Sequence, residues 1–173
     1  MRQRADTEKF KLVCGYARKF LHPMAFEKVL IVDDERELRS LHAAFFAQRG
    51  FTASTAGSLQ EADVAIARDF FDLVILDPPS FARTKQSVPQ ALAGYKQINL
   101  RAMKLIKPRG FLATCSCSHH VGEDSFWQMV QDAARDVKRP LRLIERRSQA
   151  RDYPVLAAMP ETRYLKCVIV QVL

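Results

Sequence analysis

Short strand-like runs alternate with helix-like segments along this chain, and this alternation most constrains its fold. The predicted strands are residues 28–32, 51–56, 71–76, 111–117, 141–147 and 164–172. The segments 35–49, 58–69, 90–106 and 122–137 show helical spacing of apolar residues. Strands separated by helices form a parallel-rich sheet covered on both faces, and right-handed crossovers make it doubly wound. The predicted class is therefore α/β, a three-layer sandwich of the Rossmann-like or flavodoxin-like kind.

Composition is consistent with one such domain. The chain has 173 residues and is 48% apolar, which can fill a core. It has no apolar run long enough to cross a membrane and no apolar signal core at its start, so we expect a cytoplasmic protein without a membrane partner. Its four cysteines fit reduced thiols better than a disulfide framework.

The first 26 residues form a separate predicted unit. Residues 7–21 have helical spacing and Pro23 ends the pattern, so we predict a leader, residues 1–26, with one helix. Residues 27–173 then form a single α/β domain.

Charge is unevenly distributed within the net charge of +8. Residues 27–77 contain ten acids and five bases, whereas residues 78–122 contain seven bases and no acid. The basic segment 83–109 suits a polyanion such as RNA, although solvated helix and loop faces would give the same pattern. Its bases are Arg83, Lys85, Lys96, Arg101, Lys104, Lys107 and Arg109.

Three aspartates follow predicted strands. Asp33 and Asp34 come after the first strand and Asp77 ends the third. If these strands are neighbours, the carboxylates converge at one sheet edge and form an oxygen site suited to Mg²⁺. Alternatively, Asp33 and Asp34 cap the following helix.

Residues 28–77 resemble the first half of a response-regulator receiver domain. The resemblance rests on the acidic pair after strand one and the aspartate that ends strand three. It implies Mg²⁺ on Asp33, Asp34 and Asp77, phosphorylation of Asp77, and a histidine kinase as partner. The lysine that receivers place after strand five has no clear counterpart here.

Residues 71–173 resemble the catalytic half of the large-subunit rRNA cytosine-5 methyltransferases, which are class I enzymes that use S-adenosylmethionine. The motifs occur in order. They are Asp77-Pro-Pro-Ser-Phe81, Gly94-Tyr-Lys-Gln-Ile-Asn99, Ser116-Cys-Ser118, Pro154-Val155 and Pro160-Glu-Thr-Arg-Tyr-Leu-Lys166.

This second resemblance implies a catalytic site. Cys117 would be the nucleophile that attacks C6 of the target cytosine, and Asp77 would hold the base edge as a second catalytic residue. The substrate-binding turn would be Pro78, Pro79, Ser80 and Phe81. A thiolate needs a nearby base or cation, and His119 and His120 are close in sequence. Without the motifs, Cys117 would be read as a small buried residue.

The cofactor half of such an enzyme is not evident. No glycine lies between Asp34 and Arg49, so close backbone approach to a cofactor is blocked, and we expect weak or absent binding of S-adenosylmethionine.

The two resemblances together describe a chimera-like chain, receiver-like over 27–76 and methyltransferase-like over 77–173. The leading hypothesis is a hybrid domain without full activity of either parent and with residual Mg²⁺ binding. The alternatives are an S-adenosylmethionine-dependent rRNA cytosine-5 methyltransferase and a phosphoacceptor signalling domain. Because both families place the strand ending at Asp77 beside strand one, we predict a six-stranded order of 2-1-3-4-6-5 with the last strand antiparallel.

Overall fold

The computed structural model describes residues 27–58, 61–62, 70–149, 154–159 and 162–173. The predicted leader helix and most of the predicted helix over 58–69 lie outside these residues. None of the helices in the described part is both long and apolar enough to span a bilayer.

Six strands form one mixed sheet. They are β1 (Lys28–Asp33), β2 (Thr52–Ala56), β3 (Phe71–Asp77), β4 (Ile106–Ser116), β5 (Leu141–Arg147) and β6 (Lys166–Val172). Their order is β2-β1-β3-β4-β6-β5. Strands β2, β1, β3 and β4 are mutually parallel, and β6 runs antiparallel to both β4 and β5. The predicted order and the antiparallel last strand are confirmed.

Three α-helices connect the strands in the described residues. They are α1 (Arg36–Ala47), α2 (Val88–Leu105) and α3 (Glu123–Asp136), with a 3₁₀ turn, Lys85–Ser87, directly before α2. Helix α2 begins two residues earlier than predicted. Pro89 lies in its first turn, where a missing N–H costs no helical hydrogen bond.

Each face of the sheet has its own buried layer. Tyr95 of α2 and Phe126 of α3 pack with Leu112 of β4 on one face, whereas Phe46 of α1 packs with Ile31 of β1 on the other. Parallel strands covered on both faces are apolar throughout, and every residue of β3 is buried.

Helical spacing over residues 35–49 predicts that Leu38, Leu41, Phe45 and Phe46 face inward, and this prediction was partly wrong. Leu41 was expected in the core but is 49% exposed. The buried positions are Leu38, His42 and Phe46, which follow one another at intervals of four residues. Phe45, also predicted to face inward, only borders the core.

The proline and glycine of the segment Lys107-Pro-Arg-Gly110 predict a turn before β4, but the structure places this segment inside that strand. Ile106 pairs with Phe71 and Phe111 pairs with Leu73, so β4 bulges by several residues. The bulge brings the Lys107 ammonium to 2.9 Å from the Asp72 carboxylate.

Asp72 fastens this bulge to the start of β1. Its Oδ2 atom accepts hydrogen bonds from the backbone N–H groups of Glu27 and Lys28, both at 2.9 Å. Burial raises the pKa of Asp72, but these hydrogen bonds and the Lys107 ammonium outweigh that effect and leave the pKa below its ordinary value. Asp72 is therefore an ionised structural anchor at the end of the sheet opposite to Asp77.

We expect Gly110→Ala to destabilise the fold by about 2 kcal/mol or more. A Cβ at this position would lie 2.7 Å from Ile106 Cγ2, 2.9 Å from the Asp72 carbonyl oxygen and 3.0 Å from that of Lys107. Gly122→Ala is the matched control, since its nearest neighbour would be Ser125 Oγ at 3.8 Å. Urea unfolding of both variants measures the difference, and equal stabilities would contradict the close packing of the bulge.

Candidate active site

The turn after β3 lies at the sheet edge where ligands bind in doubly wound folds. Asp77 ends β3 and is only 7% exposed. Pro78 is buried, Pro79 is exposed, and Ser80 and Phe81 are half-buried. Fixed φ angles at the two prolines give the turn a rigid backbone. The predicted substrate-binding residues therefore form a stiff, partly exposed surface beside a buried carboxylate.

Ser118 joins this turn to the segment after β4. Its hydroxyl lies 3.0 Å from Ser80 Oγ and 2.9 Å from the Tyr95 hydroxyl, and it accepts a hydrogen bond of 3.2 Å from the Ala82 N–H. Ser118 is fully buried, so these contacts form away from bulk water, where an unmade hydrogen bond is costly. The turn and the Ser116-Cys-Ser118 segment are thus fastened to each other.

Tyr95 supports the same junction from α2. Its ring stacks on Phe81 with centroids 4.5 Å apart and meets Phe126 edge-on at 5.6 Å. Its hydroxyl donates to the Pro79 carbonyl at 3.4 Å. Burial raises the pKa of Tyr95, so the phenol stays neutral and can donate. A tyrosine at this position of α2 supplies both the ring and the hydroxyl that these contacts use.

Cys117 lies directly after β4, between two buried serines. It is partly exposed, whereas Cys115 and Cys167 are buried. Cys115 and Cys167 face each other across the β4–β6 pair and belong to the core. Among the cysteines that the structure describes, Cys117 alone combines exposure with a position at the carboxyl edge of the parallel strands.

Lys166 approaches the same segment, although it is distant from it in the sequence. It opens β6, pairs with Ser116 and donates a hydrogen bond from its ammonium to the Ser118 carbonyl. Burial lowers the pKa of Lys166 to about 8, and a negative charge on Cys117 or Glu123 would oppose that shift. The two histidines suggested as thiol activators, His119 and His120, are on an exposed turn.

The predicted Mg²⁺ site on Asp33, Asp34 and Asp77 is not formed as expected. Asp33 and Asp77 are indeed in register on neighbouring strands. Asp34, however, is exposed, and Asp33 Oδ1 accepts the Glu35 N–H at 2.8 Å in a local turn. No three His, Cys, Asp or Glu side chains of the described residues are grouped to hold a metal ion.

Arg39 crowds the edge of the sheet at the ends of β1 and β2 in the described residues. The Arg39 guanidinium donates to the Asp33 carbonyl at 2.6 Å, and a Cβ on Gly57 would lie 2.8 Å from the same nitrogen. Arg39 therefore fills the space between the two strand ends. Asp33, Asp34 and Glu35 follow β1 at the same edge, and their acidic side chains disfavour the approach of another carboxylate.

Comparison with known proteins supports the methyltransferase resemblance. No protein-family model matches the chain. Over 102 residues it is 47% identical to the ribosomal RNA large subunit methyltransferase I of Shewanella frigidimarina (strain NCIMB 400) and 49% identical to that of Shewanella amazonensis (strain ATCC BAA-1098 / SB2B). Each match covers 59% of this chain and 26% of the relative. The chain thus spans about a quarter of the length of the curated relatives that it matches.

Solved structures give the same class of fold. SMU.776, a candidate methyltransferase solved in complex with SAH, matches with a TM-score of 0.63 and 18% identity, over 84% of this chain and 45% of the other. Trm5b from Pyrococcus abyssi matches with a TM-score of 0.55 and 11% identity, over 94% and 49%. The chain therefore has a methyltransferase-type Rossmann-like fold. These matches lend no support to the receiver resemblance, the hybrid interpretation, Mg²⁺ or a histidine kinase partner.

We expect Ser118→Ala to destabilise the domain by about 2 kcal/mol, because the Ala82 N–H and the Tyr95 hydroxyl lose a buried partner. Ser125→Ala is the control, since Ser125 is exposed on α3. Chemical denaturation compares the two, and limited proteolysis should cut the turn after β3 faster in Ser118→Ala only. Equal behaviour of both variants would show that Ser118 does not hold the junction.

Proposed function

We propose that this chain carries the RNA-binding and base-activating half of an S-adenosylmethionine-dependent rRNA cytosine-5 methyltransferase, with Cys117 as nucleophile. The observation that carries the proposal is the position of the partly exposed Cys117 beside the Asp77-Pro-Pro-Ser-Phe81 turn, to which Ser118 fastens it. Sequence similarity to rRNA large subunit methyltransferases supports the choice of RNA as substrate.

The chemistry assigned to Cys117 is addition to the cytosine ring. Its thiolate attacks C6, the S–C6 bond forms, and the electron pair of the C5–C6 double bond moves to C5. The electron pair at C5 then takes a proton from solvent; in an enzyme that holds S-adenosylmethionine, it would take the methyl group that this cofactor supplies. Loss of the C5 proton and expulsion of the thiolate restore the double bond.

Asp77 and the turn position the base in this proposal. A carboxylate can accept a hydrogen bond from the exocyclic amine of cytosine. The proline pair keeps the turn rigid, so the base and Cys117 meet with little loss of entropy. Ser80 and Phe81 act by holding the turn against Ser118 and Tyr95 rather than by free contact with the substrate.

The bases of segment 83–109 differ in whether they are paired with an acid and in which end of the sheet they lie near. Lys96 pairs with Asp136 at 2.8 Å, and Lys107 is held by Asp72. Arg83 and Lys85 are exposed directly after the substrate turn, whereas Lys104 and Arg109 are exposed near the opposite end of the sheet. Arg83 and Lys85 are therefore the cations best placed to hold phosphates of an RNA whose base reaches Cys117.

Cys117→Ser is expected to abolish exchange of the C5 hydrogen in RNA cytosines. Thiolate addition followed by protonation of C5 and reversal replaces that hydrogen with one from solvent, and this needs no cofactor. Release of tritium from RNA carrying cytosine tritiated at C5 measures the exchange. Cys115→Ala, which alters a buried thiol two residues away, is the matched control.

Two outcomes of that assay separate the parts of the proposal. Exchange that survives Cys117→Ser, or is absent from the unaltered protein, would contradict the nucleophile. Added S-adenosylmethionine is expected to transfer no methyl group, because Arg39 and the acidic strand end occupy its crevice. Methyl transfer would overturn that account of the crevice and leave the role of Cys117 intact.

The double variant Arg83→Ala/Lys85→Ala is expected to weaken RNA binding and to flatten its dependence on salt, because each phosphate contact releases counterions. Lys104→Ala/Arg109→Ala removes the same charge at the far end and should change binding much less. Fluorescence anisotropy at several salt concentrations measures both. Equal losses would show that RNA is held by net charge rather than at this edge.

A further inference from the structure

We infer that Lys166 is the positioning residue that holds Cys117 in its thiolate form. This inference rests on the proposed role of Cys117, but its test is independent of RNA and of methyl transfer. Closeness in sequence alone suggests His119 or His120 for this role.

The strand register places Lys166 at the nucleophile. Lys166 is the first residue of β6 and pairs with Ser116, the residue before Cys117. Its ammonium donates to the carbonyl of Ser118, the residue after Cys117. The lysine thus contacts the chain on both sides of the thiol, and the antiparallel β4–β6 pair fixes this arrangement.

The burial of Lys166 calls for a nearby negative charge. Lys166 is only 5% exposed, and a buried ammonium is unfavourable unless it is paired and hydrogen-bonded. No carboxylate of the described residues lies within ion-pair distance of it. Burial lowers the pKa of Lys166 to about 8, while the charge of Cys117 and, more weakly, that of Glu123 favour the ammonium.

Glu123 is already engaged by other cations. Its carboxylate lies 3.3 Å from Arg146 and 3.8 Å from Arg163. This leaves the Cys117 thiolate as the anion best placed to balance the Lys166 ammonium. A thiolate beside an ammonium is stabilised in the same way as other low-pKa cysteines next to lysine.

The remaining polar groups around the thiol do not supply a buried cation. Tyr95 is a neutral phenol, Asp77 is an acid on β3, and His120 is exposed. His119 is exposed as well and has its ring 5.7 Å from that of Tyr164. Lys166 is therefore the cation that the described part of the fold holds at Cys117.

The effect of Lys166 on the reactivity of the Cys117 thiol should decrease as the pH rises. The ammonium favours the thiolate while Lys166 is protonated, below its pKa of about 8. Above that pH the lysine becomes neutral, and thiols ionise in any case. The advantage that Lys166 gives to thiol reactivity should therefore be largest near pH 6–7 and vanish at alkaline pH.

Alkylation of Cys117 by iodoacetamide, followed peptide by peptide with mass spectrometry from pH 6 to 10, tests the inference. Lys166→Met should react about ten-fold more slowly than the unaltered protein at pH 7 and equally fast at pH 10. Lys166→Arg keeps the charge and should stay within about two-fold at pH 7. Circular dichroism verifies that each variant is folded.

Other results would overturn the inference. Equal rates for the unaltered protein and Lys166→Met at pH 7 would do so, as would a rate change of the same size at every pH, which indicates altered access instead. If Lys166→Met does not fold, loss of Cys117 reactivity in a folded Lys166→Arg variant would likewise overturn the inference. Alkylation that depends on Lys166 without C5 exchange in RNA would refute the proposed function and leave this inference standing.

Discussion

The buried hydroxyl of Ser118 is the interaction on which the candidate site depends. Strands β3 and β4 are parallel neighbours, so the segments that follow them emerge at the same edge. Ser118 then bonds Ser80, the Ala82 N–H and Tyr95 at once. A buried hydroxyl with several partners is costly to move, because each broken contact leaves a polar atom without water. The position of Cys117 beside the turn follows from this anchoring.

The two ends of the sheet's carboxyl edge differ in chemistry. At β3, β4 and β6 the structure places a partly exposed thiol, a rigid turn and a buried lysine. At the ends of β1 and β2 it places acidic residues and Arg39. A guanidinium nitrogen of Arg39 would lie 2.8 Å from a Cβ added at Gly57. One sheet with the order β2-β1-β3-β4-β6-β5 includes both ends. The fold alone therefore does not determine whether a cofactor binds here. The side chains at the end of each strand determine it.

The strand order could be predicted because both resemblances place the same two strands together. The predictions that were wrong concern features that side-chain packing or long-range strand pairing determines. In α1, Leu41 and His42 are consecutive residues that lie about 100° apart around the helix axis, and the face that packs on the sheet is the one with Leu38, His42 and Phe46. Lys107 to Gly110 look like a turn, yet the pairing of β4 with β3 on either side draws them into a strand.

Lys166 was missed as a site residue for a related reason. Its relation to Cys117 comes from the pairing of Ser116 with a residue fifty positions later. A single sequence shows an apolar last strand there but not its register, and one residue of slip would turn the lysine to the other face. The motif in the sequence suggests Cys117 as the nucleophile, and the structure was needed to find Lys166 beside it.

Intact-mass spectrometry of the protein with an RNA that contains 5-azacytosine tests whether Cys117 bonds covalently to the base. Nitrogen at position 5 makes C6 more electrophilic, so an adduct can accumulate without a methyl donor. We expect a complex with the mass of protein plus RNA, and digestion should locate the bond at Cys117. A protein that forms no adduct, or one linked through another residue, would contradict the proposed role of Cys117.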